Sequence, residues 1–115
     1  MAEVNSLRRV DESDRLFGLA RNVAPLGVHG NGRWYDPSPL FFARAEGARL
    51  WDADGNEYID LHGGLGPCVL GYNHPEILRA AIETLSEKGP HLGLPHPGEV
   101  QLSETLTQLI PCAEK

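Results

Sequence analysis

The dipeptide Asp54-Gly55 constrains this chain more than any other feature. It is the strongest short hairpin signal present, because both residues tolerate the positive φ that tight β-turns demand. Strand-like segments flank it. Ala48 to Asp52 carries Leu50 and Trp51 as apolar bulk, and Glu57 to Leu61 has Tyr58 and Ile59 at its centre. Upstream, residues 40–45 are also strand-like, and Glu46-Gly47 reads as a tight turn. Three strands joined by two short turns predict an antiparallel meander over about 40–61. A Gly-rich loop follows at Gly63 to Gly66.

Beyond the meander the periodicity changes. Ile77, Leu78, Ala81, Ile82 and Leu85 recur at helical spacing. Pro75 suits a first helical turn, where its missing N–H costs nothing. Asn73 or His74 is placed to cap that helix, and Gly89-Pro90 to end it near residue 88. His91 to Pro97 reads as a loop. A second helix is predicted over about 98–110, with Leu102, Leu106, Leu109 and Ile110 on one face and Pro111 as its stop. The apolar faces of these two helices are the natural cover for one face of the meander. The fold class is therefore α+β.

The N-terminal third is less regular. Residues 1–10 read as a loose tail. An amphipathic helix is expected from about Val10 to Asn22, capped by Asp11 or Ser13. Residues 23–39 hold Pro25, Gly27, Gly30, Gly32, Pro37 and Pro39, and predict an extended, irregular arm that forms little core alone. The division is thus 1–39, helix and arm, and 40–115, meander plus two helices.

Bulk properties narrow the function. A length of 115 residues suits one domain, and thirteen Gly with nine Pro argue against a helical bundle. A net charge of −6 disfavours nucleic acid, whose phosphates need Lys and Arg. No apolar run approaches the length of a membrane span, and the charged N-terminus lacks the apolar core of a secretory signal. Cys68 and Cys112 form no spaced motif, so a reduced, cytoplasmic chain is expected.

Several motifs have competing readings. Asp52, Asp54 and Asn56 mimic the start of a calcium loop, but Glu57 stands where glycine is required and Gly63 where the bidentate glutamate is required. A hairpin turn explains them without metal. His29, His62, His74, His91 and His96 show no metal-ligand spacing with each other or with the cysteines, so no metal site is expected. His62, beside the Gly-rich loop, could reach a substrate. The loop Gly63-Gly64-Leu65-Gly66-Pro67 lacks the phosphate-binding signatures and opens no helix. It is either a wall where backbone approaches a small ligand or a strand exit that needs positive φ.

The run Pro39 to Pro75, PLFFARAEGARLWDADGNEYIDLHGGLGPCVLGYNHP, resembles the N-terminal part of the class III aminotransferases, which depend on pyridoxal phosphate (PLP). Within that family it looks nearest to the glutamate-1-semialdehyde aminomutases. The resemblance rests on R-L-W-D, D-G-N, E-Y-I-D, G-G-L-G-P and L-G-Y-N-H-P in fixed order. It implies an N-terminal segment of a fold-type I PLP enzyme, a small amino-compound substrate, and as partners the remainder of the same enzyme and a second subunit of a homodimer. It also implies substrate-binding roles for Arg33, whose planar fork suits a carboxylate, and for Gly64, Leu65 and Gly66. Arg33 is otherwise a solvated surface arginine. Leu65 stands where the aminomutases usually carry an aromatic side chain.

The chain has two lysines, Lys88 at a helix end and Lys115 at the terminus, and neither context suits the desolvated Schiff-base amine of a PLP enzyme. No catalytic and no cofactor-binding residue is therefore assigned, and PLP belongs to the complete enzyme and is not expected to bind this chain alone. The resemblance implies a portion that stops short of the PLP-binding large domain and is inactive by itself, in an aminotransferase or aminomutase. The alternative from a different class is a non-catalytic interaction or oligomerisation module.

Overall fold

The hairpin forms where Asp54-Gly55 places it, but by a different device. Strands β1 (Phe42–Glu46), β2 (Arg49–Asp52) and β3 (Glu57–Ile59) make an antiparallel sheet in the order β1-β2-β3. The structure is a computed structural model that describes residues 8–89 and 93–113. The predicted tail over 1–7, Pro90, His91 and Lys115 lie outside the described residues. Two compact units are present, Met1–Ile77 and Leu78–Lys115.

In the β2–β3 register Leu50 faces Tyr58 and Trp51 faces Glu57. Of the two turn residues only Gly55 takes positive φ, at +85°. The turn is held by Asp52, whose carboxylate accepts from the Asp54 and Asn56 backbone N–H groups at 3.0 and 2.8 Å. It also accepts from Asn56 Nδ2 and the Tyr58 hydroxyl, at 2.8 and 2.9 Å. Asp52 is 2% exposed, and these donors make its burial tolerable. A bulge between Phe42 and Arg44 bends β1, and Phe42 meets Tyr58 edge-on at 5.4 Å. The ion pairs Arg44–Glu46 and Arg49–Glu57 are exposed, so each contributes little.

Helix α1 (Asp11–Ala20) differs from expectation at its start. Neither Asp11 nor Ser13 is the cap residue; Val10 is, and no side chain of its own caps it. The carboxylate of Asp54, from the hairpin turn, accepts from Glu12 N at 2.8 Å and Ser13 N at 3.0 Å. It thereby satisfies two of the helix's orphan donors from 42 residues away. Ser13 is buried, and its hydroxyl accepts from Phe41 N at 3.2 Å. The residues before α1 are also tied down, contrary to the loose-tail expectation. Arg8 donates to the Glu57 carbonyl and lies 4.5 Å over the Tyr58 ring, while the Arg9 carbonyl accepts from Asn56 Nδ2 at 2.7 Å.

The arm is less extended than predicted. It holds two 3₁₀ turns, Pro25–Gly27 and Asn31–Arg33. Its first turn packs back on α1, where a Cβ on Gly27 would stand 2.7 Å from the Phe17 ring. Among the described residues Ser13, Ala24, Gly27, Pro39 and Asp52 are buried. The interior of the first unit is thus small and substantially polar.

A bridge fixes the β1–β2 turn. Gly47 and Tyr72 exchange backbone hydrogen bonds at 2.9 and 2.8 Å. Asn73, named with His74 as a candidate cap of the next helix, sends its side-chain amide to the Ala45 carbonyl at 2.8 Å. His74 Nδ1 is buried without a hydrogen-bond partner among the described residues. Helix α2 (Pro75–Lys88) begins and ends as predicted. Helix α3 (Pro97–Leu109) starts one residue early, with Pro97 in its first turn and His96 Nδ1 accepting from Gly98 N at 3.0 Å. Neither helix has a buried residue: Ile77, Leu78, Ile82, Leu85, Leu102, Leu106, Leu109 and Ile110 are all exposed. No described helix is long and apolar enough to cross a membrane.

Candidate substrate-side site

The first unit holds a cavity of about 620 Å³, within the range of small-molecule sites. The arm supplies Gly27, Val28, His29, Gly32, Arg33 and Tyr35. The approach to β1 supplies Pro39 through Phe42, and the meander and its exit supply Leu50, Asp60, His62 and Tyr72. Apolar walls with a few convergent polar groups result.

Each polar group is positioned by backbone. Arg33 closes the second 3₁₀ turn, its N–H donating to the Gly30 carbonyl at 3.0 Å. The Tyr35 hydroxyl accepts from Leu40 N at 2.7 Å, which ties the arm to the lead into β1. Asp60 accepts from His62 N at 2.8 Å and Gly63 N at 2.9 Å. The His62 N–H foremost, against a burial effect, and then the Tyr72 hydroxyl and the Gly63 N–H, hold its carboxyl below the usual range. Burial, then Asp60, pushes the Tyr72 hydroxyl up. Asp60 is thus an ionised anchor for the turn that carries His62.

The Gly-rich loop leaves β3 through an unusual run of positive φ: Gly63 +56°, Gly64 +62°, Leu65 +68° and Gly66 +106°. Leu65 is a bulky residue in a region that L-residues avoid. Its N–H is shared between the His62 carbonyl at 3.1 Å and His62 Nδ1 at 3.3 Å. A Cβ on Gly64 would stand 3.4 Å from Cys68 Sγ and 3.8 Å from the Tyr72 hydroxyl. Of the residues singled out in the sequence, Arg33 lines the cavity. Gly64 lies beside the lining residue Tyr72, whereas Leu65 and Gly66 are outside the lining and Leu65 is exposed.

Asp60, Tyr35 and Tyr72 were not singled out as site residues. Tyr72 reaches the cavity through its pairing with Gly47, 25 positions earlier in the chain, which no local pattern reveals. Asp60 and Tyr35 look like an ordinary strand end and arm residue. Among the described residues no cluster of His, Cys, Asp or Glu could hold a metal, and Asp52, Asp54 and Asn56 are used by the hairpin and α1.

The described residues do not fit the covalent anchorage of PLP. A Schiff-base lysine must sit desolvated in a pocket, and Lys88 is exposed in the last turn of α2, where the helix dipole accounts for a cation.

The family model "Aminotransferase class-III" matches residues 31–115. A glutamate-1-semialdehyde 2,1-aminomutase of Methanopyrus kandleri is 42% identical over 104 residues, which is 90% of this chain and 24% of that protein. An omega-transaminase from Sphaerobacter thermophilus superposes with a TM-score of 0.81 at 33% identity, over 86% of this chain and 22% of its own. A transaminase structure with PLP bound gives 0.82 at 30% identity, over 88% and 24%. The chain spans about a quarter of the length of these relatives and corresponds to an N-terminal portion of such enzymes.

Proposed function

We propose, from the premise that this chain belongs to the class III aminotransferases, a PLP-dependent family, that it forms the substrate-side wall of an aminotransferase or aminomutase site. The observation that carries this is the convergence of Arg33, Asp60, His62 and Tyr72 on one cavity of about 620 Å³. Arg33 takes the carboxylate of a small amino compound through its planar fork. The Gly63–Gly66 turn lets backbone lie close beside that substrate, with Gly64 and Leu65 at its edge. The chemistry is amino-group transfer or its intramolecular shift. The groups that carry out its bond-making steps, and the lysine that holds the cofactor, come from outside these residues. A second subunit and a cytoplasmic setting belong to the same proposal.

A chimera tests it. This chain replaces the corresponding quarter of the Methanopyrus kandleri aminomutase, and Arg33→Ala is compared with Arg33→Lys. Charge-assisted hydrogen bonds contribute about 1.5–3 kcal/mol. Arg33→Ala should therefore raise KM about 10- to 150-fold with kcat less affected, and Arg33→Lys should fall between. Unchanged KM in Arg33→Ala would remove the carboxylate role. The exposed apolar faces of α2 and α3 favour a second reading, a non-catalytic interaction module. An inactive but folded chimera would favour that module.

A further inference from the structure

We infer that His62 is a second, substrate-contacting residue of this cavity, donating an Nε2–H hydrogen bond to the carboxylate held by Arg33. This deepens the reading of the cavity given above and rests on it. The argument begins with the ring's tautomer. The Leu65 N–H points at His62 Nδ1 at 3.3 Å, so Nδ1 is the acceptor nitrogen. In a neutral imidazole the proton then sits on Nε2. That nitrogen has no partner among the described residues, and the side chain lines the same cavity as Arg33. An N–H donor on a residue that lines the same cavity as Arg33 suits an anion better than a cation.

The surrounding backbone is built for this orientation. Asp60 takes the N–H groups of His62 and Gly63, so its carboxylate is committed to the turn. Leu65 holds φ +68°, in the left-handed region that a bulky residue avoids. That conformation brings its N–H onto the histidine. Strain of this kind gathers where a functional group must be aimed. Glycine at position 65 would relieve the strain, yet leucine stands there. The other polar residues lining the cavity are His29, Arg33, Tyr35, Asp60 and Tyr72.

The test uses the full 115-residue chain, 15N-labelled, with sodium propionate as probe and propylamine as control. Long-range 1H–15N spectra should show His62 protonated at Nε2 and bare at Nδ1. Propionate should shift the Nε2 signal and the Arg33 Nε–H signal together, and propylamine should shift neither. A hydrogen bond contributes about 0.5–1.5 kcal/mol, so His62→Phe should weaken propionate binding about 2- to 13-fold. His62→Gln, which keeps an N–H donor, should stay within about twofold of the parent. Circular dichroism confirms that each variant keeps the parent's fold. A bare Nε2 overturns the proposal, as does propionate binding that His62→Phe leaves unchanged while Arg33→Ala abolishes it; the Arg33 reading then stands. Propionate binding that Arg33→Ala leaves unchanged, or no propionate response at all, overturns both.

Discussion

Asp54 and Asp52 sit two residues apart and do opposite jobs. Asp54 faces outward to α1 and supplies the acceptor that Glu12 N and Ser13 N need. Losing a helix-capping acceptor costs about 0.5–2 kcal/mol. Asp54→Ala should lose stability in that range, with hydrogen exchange accelerated first at the Glu12 and Ser13 amides. Protection at those amides equal to the parent's would show that α1 does not depend on the hairpin. Asp52 faces inward. Burial pushes its carboxyl up, but donors from Asn56, Tyr58 and Asp54 outweigh it and hold the carboxyl below its usual value. A carboxyl lowered in the folded state contributes stability that is present above the ordinary carboxylate range and lost as pH falls through the lowered value. Asp52→Asn should therefore cost about 1–3 kcal/mol near neutrality. The gap from the parent should close as pH drops below about 4, the ordinary carboxylate value. Urea titrations at pH 7, 4 and 3 decide the sign, and a gap that widens in acid would refute it.

At the scale of elements, the bridge between the β1–β2 turn and the residues before α2 sets the next expectation. Gly71 has φ +84°, and a Cβ there would stand 3.0 Å from three backbone atoms of Gly47. Backbone cannot yield as a flexible side chain can. Gly47 itself has φ +54° and open space around its Cβ position. Gly47→Ala should therefore cost only the left-handed penalty, about 1–2 kcal/mol, whereas Gly71→Ala adds overpacking of about 1–3 kcal/mol. Equal losses in urea unfolding would mean that the bridge yields freely. Local pattern was sufficient for the elements whose signals lie within them: the D-G hairpin, the Pro75 start, the Lys88-Gly89 end and the Pro111 stop. It failed where the partner is distant in sequence. Asp54 capping α1, Arg8 resting on Tyr58 and Asn73 holding Ala45 are long-range contacts. The site divides the same way: Arg33, singled out through the family resemblance, lines the cavity, while Tyr72 enters through its bridge to Gly47.

For the molecule as a whole, the apolar faces of α2 and α3 decide behaviour in solution. Leu85 and Leu106 are 57% and 41% exposed, and neither helix contains a buried residue. The apolar periodicity that marks both helices as amphipathic therefore finds no cover among the described residues. Apolar surface in water costs about 25 cal/mol per Å², and contiguous patches beyond a few hundred Å² promote association. The chain alone should be marginally stable and should self-associate. Charges placed on these faces give a direct check. Leu85→Glu and Leu106→Glu alter side chains that the fold does not enclose, so each should change unfolding free energy by no more than about 0.5 kcal/mol, as surface positions do. The double variant should nonetheless sediment as a smaller species at the same concentration, because it breaks the patch that drives association. A loss of 2 kcal/mol or more, the cost of a buried leucine, would show that these leucines already belong to a closed core. An unchanged sedimentation profile would show that some other surface holds the copies together.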